Sequence, residues 1–471
     1  MSNIDWAMIA LYFLLMIGIG VYSAFRVKDS DDFAVAGNKI IWPVLFATLS
    51  ASFLGGGSSM GRAGQTFNDG YVFLFAASGF TIQTFLTGWL IAPKLKRYPG
   101  AQTLGDIMEV HYGGFARLLS AVLSLVFCIG ILGAQALAIG TIFQAILGIS
   151  ITAGILIGMC IVMVYSVAGG MWAVIQTDVI QFMLLGIFLP VTLIIGLYQI
   201  GGPAELVAAL PVGHFSVIGS YEIATFITIF VAFMLGEALV QPYAQRAFCA
   251  PDPKNAQKGY MLSGLFGLLF FTITATLGLV AVVLFPDIAP DQALPTLVKS
   301  ILPIGVTGLV LAALLAVVMS TADSYLNSTA VVFVRDIYSK HVNTKATSKQ
   351  HLKIERWVSL IVGVAATLFA LTATSIVDAL LMSYALWAPT MIIPLIGAVL
   401  FDVMSKRAAI SAIVLGGATT ALWNWGPFPL QELTGFTPLL AGVSVNLIVF
   451  VLLAITDKKV ISINTVLGSE S

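Results

Sequence analysis

Charge is scarce in this sequence. Only 9% of the 471 residues are Asp, Glu, Lys or Arg, and 22 acidic against 22 basic residues leave a formal net charge of zero. Soluble domains average about a quarter charged residues, so a chain of this length could not cover a water-facing surface. The balance also leaves no basic patch for nucleic acid. Cysteine is nearly absent: Cys128, Cys160 and Cys249 sit in or at the ends of apolar runs, without paired or metal-ligand spacing, and read as buried small hydrophobes. The four histidines, His111, His214, His341 and His351, fall in segments predicted as loops. No nucleophile, base or phosphate-binding constellation accompanies them, so the chain reads as a non-enzyme. What is abundant is apolar: 59% of residues are hydrophobic and the mean hydropathy is +1.00. The expected class is an all-α polytopic membrane protein, with the lipid bilayer as its main partner.

Apolar windows of about 20 residues, the length needed to cross a bilayer, occur at 4–26, 40–68, 70–92, 117–147, 151–168, 171–200, 221–247, 259–285, 301–334, 355–373, 376–401, 408–425 and 437–456. That predicts thirteen transmembrane helices in a single domain, 1–471. The first window has no cation before it and ends in Arg26 and Lys28 without a convincing cleavage site, so it is expected to stay as a helix. Cytoplasmic loops concentrate Lys and Arg. With the N-terminus outside and the C-terminus cytoplasmic, 20 of the 22 basic residues fall in inside loops, Arg117 and Arg246 among them; Lys299 is outside and Arg62 lies within a span. Compactness and short outside loops fit a bacterial inner membrane.

The second window is interrupted at 50–64, SASFLGGGSSMGRAG, by Gly55, Gly56 and Gly57. Lipid cannot hydrogen-bond the backbone freed by such a break, so irregular chain at that depth survives where it lines a cavity, an ion or a ligand. Five windows later the seventh is also interrupted, around Gly236-Glu237 and Gln241-Pro242. Broken helices at matching positions of two halves point to an inverted-repeat secondary transporter with a site near the midplane.

A charge at a membrane-helix centre costs about 2.5–3.5 kcal/mol on insertion scales, so each one needs a reason. In the ninth window Ser320, Asp323, Ser324 and Asn327 recur at i, i+3, i+4 and i+7 and share one helical face, with Thr321 beside it. Hydroxyls, a carboxylate and nearby carbonyls are the hard oxygens a small cation prefers; Ser and Thr also simply bond neighbouring helices together. Both readings stand. Asp178, two turns inside the sixth window, has no cation at helical spacing. It is either a neutral acid bonded to a carbonyl or a carboxylate holding a cation.

The stretches SASFLGGG, GGMWAVIQTDVIQ, PYAQRAFCAPDPKNAQ and above all MSTADSYLNSTAVVFVRDIY resemble the sodium:solute symporter family, over about residues 4–456. The resemblance implies a LeuT-like inverted five-helix repeat: an extra N-terminal helix at 4–26, repeats at 40–200 and 221–401 (spans 2–6 and 7–11), and two C-terminal helices at 408–456. It implies sodium-coupled symport of a small organic solute by alternating access. The main sodium site would use the carbonyls of Ala51, Leu54 and Val317 and the hydroxyls of Ser320 and Thr321. A second site would draw on Asp178, Ser320, Asp323 and Ser324, where Asp323 replaces a residue that is often serine and leaves sodium, a proton or a structural role open. The solute would meet Ser52, Phe53, Gly55, Gly56, Gly57, Gln83, Gln135, Gln241 and Tyr243. Phe53 could offer its ring to a quaternary ammonium or simply pack.

Arg62 lies about 8–10 Å beyond the break at 1.5 Å per residue. It has three readings: snorkelling into an outer vestibule, binding a solute carboxylate, or pairing with Glu237 as an outer gate. Proton coupling, a membrane sensor on the same scaffold and a passive channel are the alternatives to sodium symport.

Overall fold

The computed structural model describes residues 1–25, 27 and 29–457; the basic residues Arg26, Lys28, Lys458 and Lys459 of the charge pattern lie outside these. Among the described residues every regular element is a helix. Helix α1, Asn3–Ala24, starts with a capping box between Ser2 and Asp5. A broken pair follows, α2, Trp42–Phe53, and α3, Arg62–Asp69, joined through a π-turn at Gly57–Gly61. Then come α4, Val72–Leu95, a short connecting helix α5, Leu104–Tyr112, and α6, Gly114–Leu147. Helix α7, Ile151–Ile200, is two helices meeting at Gly170, whose φ of +52° and ψ of −151° are open only to glycine. The fifth and sixth windows therefore separate where the Gly169-Gly170 pair stands.

The second broken pair is α8, Ile223–Leu235, and α9, Gln241–Cys249. Helices α10, Pro253–Leu284, α11, Val306–Val332, and α12, Ser348–Ala370, complete the centre. The eleventh window, expected as one span, is bent by 58° between α13, Ile376–Trp387, and α14, Ile392–Phe401. Pro389 stands in the bend and cannot donate a backbone hydrogen bond. The Nδ2 of Asn446 reaches the bend, lying 2.9 Å from Pro389 O and from Thr390 O, and also 3.0 Å from Ala412 O. Asn446 comes from α16, Pro438–Thr456, which packs on α15, Lys406–Trp425.

Each of the thirteen windows contains helix. Among the described residues seven helices are individually long and apolar enough to cross a bilayer, or up to nine if the bent pairs Ser30–Asn38 with Trp42–Phe53 and Ile376–Trp387 with Ile392–Phe401 are each one span. Helix α11 is the central pole: 89% of its apolar window is buried, against 28% for α1 and for α16. Its N-terminus is capped from α1, where Asp5 Oδ1 accepts from the amides of Gly305 and Gly308 at 2.8 and 3.0 Å. Cys128 and Cys249 are buried as expected, but Cys160 is exposed, on a helical surface that is apolar enough to face lipid. His111, expected in a loop, is on α5 and buried, within hydrogen-bond reach of the Tyr98 hydroxyl and of Val403 O.

Candidate functional site

Helix α2 ends at Phe53 because Leu54 leaves helical geometry, and the chain then passes between α6 and α11. Only glycine fits there. A Cβ on Gly55 would lie 2.5 Å from Thr321 Oγ1 and 2.9 Å from Gln135 Oε1, and one on Gly56 would lie 2.5 Å from the Ala138 methyl. The freed amide of Gly56 donates to Gln135 Oε1 at 2.7 Å. Gln135 thus closes the break, and the three glycines face Thr321, Ala138 and Leu380 instead of a solute space.

On α11, Ser320 Oγ lies 3.0 Å from Ala51 O and 2.8 Å from Val317 O, and Thr321 Oγ1 lies 3.0 Å from Ser52 O and 3.4 Å from Val317 O. Five oxygens from two helices therefore converge at the break, all in residues that are at most 3% exposed. Four of the five expected main-site residues, Ala51, Val317, Ser320 and Thr321, meet here. The carbonyl drawn to Thr321 is that of Ser52, while Leu54 uses its amide to bond Ser50 O at 3.2 Å.

The Asp178 cluster departs from expectation. Arg246, counted with the loop cations, is fully buried, and its Nη2 pairs with Asp178 Oδ2 at 2.9 Å. The same guanidinium donates to Thr48 Oγ1 at 3.0 Å, Pro242 O at 3.0 Å and Ser324 Oγ at 2.6 Å. Thr48 also bonds Asp178, and Ser324 Oγ is 3.0 Å from Ser52 Oγ. Asp178 is thus a carboxylate holding a cation, and the cation is an arginine from another helix. Nothing local marked that pairing, since 68 residues separate the partners. Asp323 turns to the first half of α7, where Ser166 donates to it. The second set, Asp178, Ser320, Asp323 and Ser324, is consequently divided between neighbours.

A small cavity lies between the two breaks, with Phe53, Gln83, Thr84, Glu237, Tyr243 and Tyr260 among its walls. Its volume is about 10 Å³, the room that one water needs. Of the expected solute residues it gathers Phe53, Gln83 and Tyr243; Ser52, Gly55, Gly56, Gly57, Gln135 and Gln241 lie outside its lining. Gln241 instead pins the α4–α5 connection, accepting from the Leu104 amide at 2.8 Å and donating to Gln102 O at 2.9 Å.

Glu237 and Arg62, one reading of which is an outer gate, are not paired with each other in this structure. Glu237 sits in the cavity wall and accepts from the hydroxyls of Tyr243 at 2.9 Å and Tyr325 at 3.5 Å. Arg62 is 1% exposed, which excludes snorkelling. Its guanidinium carbon lies 4.3 Å from the Phe271 ring centre, with Phe73 and Phe233 at 5.9 and 6.0 Å. Such rings attract a cation through their negative faces, yet Nε and Nη1 lack a hydrogen-bond partner among the described residues. Three segments supply that cage, so no local motif announces it.

Sequence reasoning also missed a clasp at the opposite end of α6. Arg117 pairs with Asp106 at 2.7 Å, with Asp336 at 2.6 Å and with Glu109. Arg335 and Lys340 add pairs to Asp106 and Glu109 at 3.5 and 2.9 Å. Desolvation pushes the Glu109 carboxyl up, but the bonds from Lys340 and Arg117 outweigh it and hold the group below the usual carboxylate range. Only the spacing of Asp106, Glu109 and Arg117 hinted at this network.

The sequence profile of the sodium:solute symporter family matches residues 33–416. The chain belongs to that family. It is accordingly a multi-pass membrane transporter with Na+ as its coupling ion. Over 475 residues it is 25% identical to the osmoregulated proline transporter of Bacillus subtilis, covering 96% of this chain and 94% of that one. It is 27% identical to the sodium/glucose cotransporter of Vibrio parahaemolyticus, covering 79% and 75%. A Na+-coupled sialic acid symporter solved in a substrate-bound outward-open state superposes with a TM-score of 0.83 at 19% identity, covering 97% and 98%. The symporter is thus LeuT-like in fold.

Proposed function

We propose that this symporter carries a small organic solute into the cell with Na+, and that the ion binds at the first break. The observation that carries this reading is the convergence of Ala51 O, Ser52 O, Val317 O, Ser320 Oγ and Thr321 Oγ1 between α2 and α11. These are hard, uncharged oxygens, the donor chemistry a small monovalent cation takes. Turning the two hydroxyl hydrogens away would present all five oxygens to the ion, with the Leu54 carbonyl close by in sequence. The Asp178 cluster is read as structural, because its charge is already met by Arg246.

An ion held between α2 and α11 ties the first break to the central pole and favours the arrangement in which the solute cavity is complete. Ion and solute then raise each other's affinity by the same factor, as linkage requires. One charge moving through 100 mV supplies about 2.3 kcal/mol, or roughly fortyfold accumulation. Phe53, Gln83 and Tyr243 are proposed to contact the solute. Two five-helix repeats at 40–200 and 221–401, flanked by 4–26 and 408–456, and an outside N-terminus with a cytoplasmic C-terminus complete the proposal. The distribution of Lys and Arg supports that orientation.

Proteoliposome uptake of amino acids, sugars, carboxylates and quaternary amines tests the reading. It expects accumulation under an inward Na+ gradient. Uptake that follows pH and ignores Na+ replaces it with proton coupling, and a lack of gradient-driven uptake favours a sensor.

A further inference from the structure

The second break presents a carboxylate with no basic partner. Glu237 stands in the non-helical 236–240 segment, where Leu239 adopts φ +49°, unusual for a side chain branched beyond Cβ. It is 7% exposed and forms part of the cavity wall. Its hydrogen-bond donors are phenols, Tyr243 and Tyr325. No Lys, Arg or His lines the cavity, and no ion pair to Glu237 occurs among the described residues. Arg246 and Arg117, by contrast, each meet a carboxylate.

An ionised carboxylate is acceptor-only and phenols leave its charge uncompensated. The other walls favour the same counter-charge: Phe53 packs against Tyr243 with ring centres 4.4 Å apart and against Tyr260 at 6.2 Å, and aromatic faces attract cations. An anionic group placed here would meet like charge. A hydroxyl group placed here would use Gln83 and Thr84 but leave an ionised Glu237 unmatched.

We propose that Glu237 recognises a positively charged nitrogen of the solute, so that the cargo is an amine or an amino-acid-like zwitterion. This rests on the transport reading above. Sodium and the amine then occupy separate breaks: uncharged oxygens at the first, a carboxylate in an aromatic enclosure at the second.

The test uses the full-length protein in proteoliposomes with an inward Na+ gradient. The probes are the twenty amino acids, choline, glucose, myo-inositol and lactate, each offered to wild type, Glu237→Gln and Glu237→Asp. The expected result is Na+-driven uptake of an amine-bearing probe. Its KM rises about 10- to 100-fold in Glu237→Gln, as for loss of one charge-assisted bond, and recovers substantially in Glu237→Asp. A Na+-induced thermal shift retained by Glu237→Gln shows that the variant folds and keeps the first break; if it is lost, the Glu237→Asp comparison and the wild-type probe profile decide. Na+-driven uptake confined to glucose, myo-inositol or lactate overturns the proposal and leaves symport standing. So does amine uptake that is indifferent to Glu237→Gln. Absence of gradient-driven uptake of every probe removes the transport reading and the proposal with it.

Discussion

At the first break the chain offers backbone carbonyls to the hydroxyls of Ser320 and Thr321, whereas at the second it offers the Glu237 carboxylate to the hydroxyls of tyrosines. The first is built by glycines so close to α6 and α11 that a single methyl would clash. The second has bulkier residues and borders the cavity. The contrast teaches that the two unwound segments are not chemically interchangeable, even though they stand at matching positions in sequence. On the proposed reading the first, a cluster of uncharged oxygens, takes the ion, and the second, with a carboxyl group in its wall, takes part of the organic solute.

Arg246 binds the two together, reaching from α9 just beyond the second break to Thr48 before the first, and to Asp178 and Ser324. Its loss is the largest effect expected. Arg246→Gln leaves Asp178 buried and unpaired, and lowers stability by about 3–5 kcal/mol, measured as thermal or denaturant unfolding in detergent. Gly55→Ala comes next. Its Cβ would press on Thr321 and Gln135, which are held on both sides, and overpacking of this kind costs about 1–3 kcal/mol. The readouts are a lower melting temperature and a weaker response to Na+. A Gly55→Ala protein with wild-type melting and Na+ response would show that the first break is looser than its contacts imply.

The Arg117 clasp touches neither unwound segment directly, meeting the second only through the Gln102–Leu104 turn that Gln241 pins, and serves as the control region. Glu109→Gln is expected to cost no more than about 0.2–1 kcal/mol, because the carboxylate is about one-third exposed and partly screened. The pH dependence has a definite sign. Glu109 is held below the usual carboxylate range in the folded protein, so its contribution is present above that range and is lost as pH falls through the depressed value. Melting scans from neutral to acid pH should show a smaller acid-induced loss in Glu109→Gln than in wild type.

Much of the first break is legible in the sequence. Gly55, Gly56 and Gly57 interrupt an apolar run, and glycine's missing Cβ is what the close approach to Thr321 and Ala138 requires. The hydroxyl cluster on α11 is legible from helical spacing, and Ser320 and Thr321 do meet α2. The roles of Gln135 and Gln241 are not, since an amide can cap a backbone or bind a ligand with the same atoms. Arg246 reads as a loop cation because its short helix has low apolar content, while its burial comes from α2, α7 and α11 packed around it. The Arg62 cage is assembled from Phe73, Phe233 and Phe271, residues too far apart in sequence for any local pattern. The bend at Pro389 is open to inference from proline alone, but the approach of Asn446 to it is a tertiary contact.

Equilibrium binding of radioactive sodium to the purified protein tests the central claim most directly, because it needs no knowledge of the solute. Wild type should bind Na+ saturably, and Ser320→Ala and Thr321→Ala should each weaken it about tenfold or more, a loss of at least about 1.4 kcal/mol, while melting within a few degrees of wild type. Unchanged Na+ affinity in both folded variants would contradict the assignment of the ion to the first break.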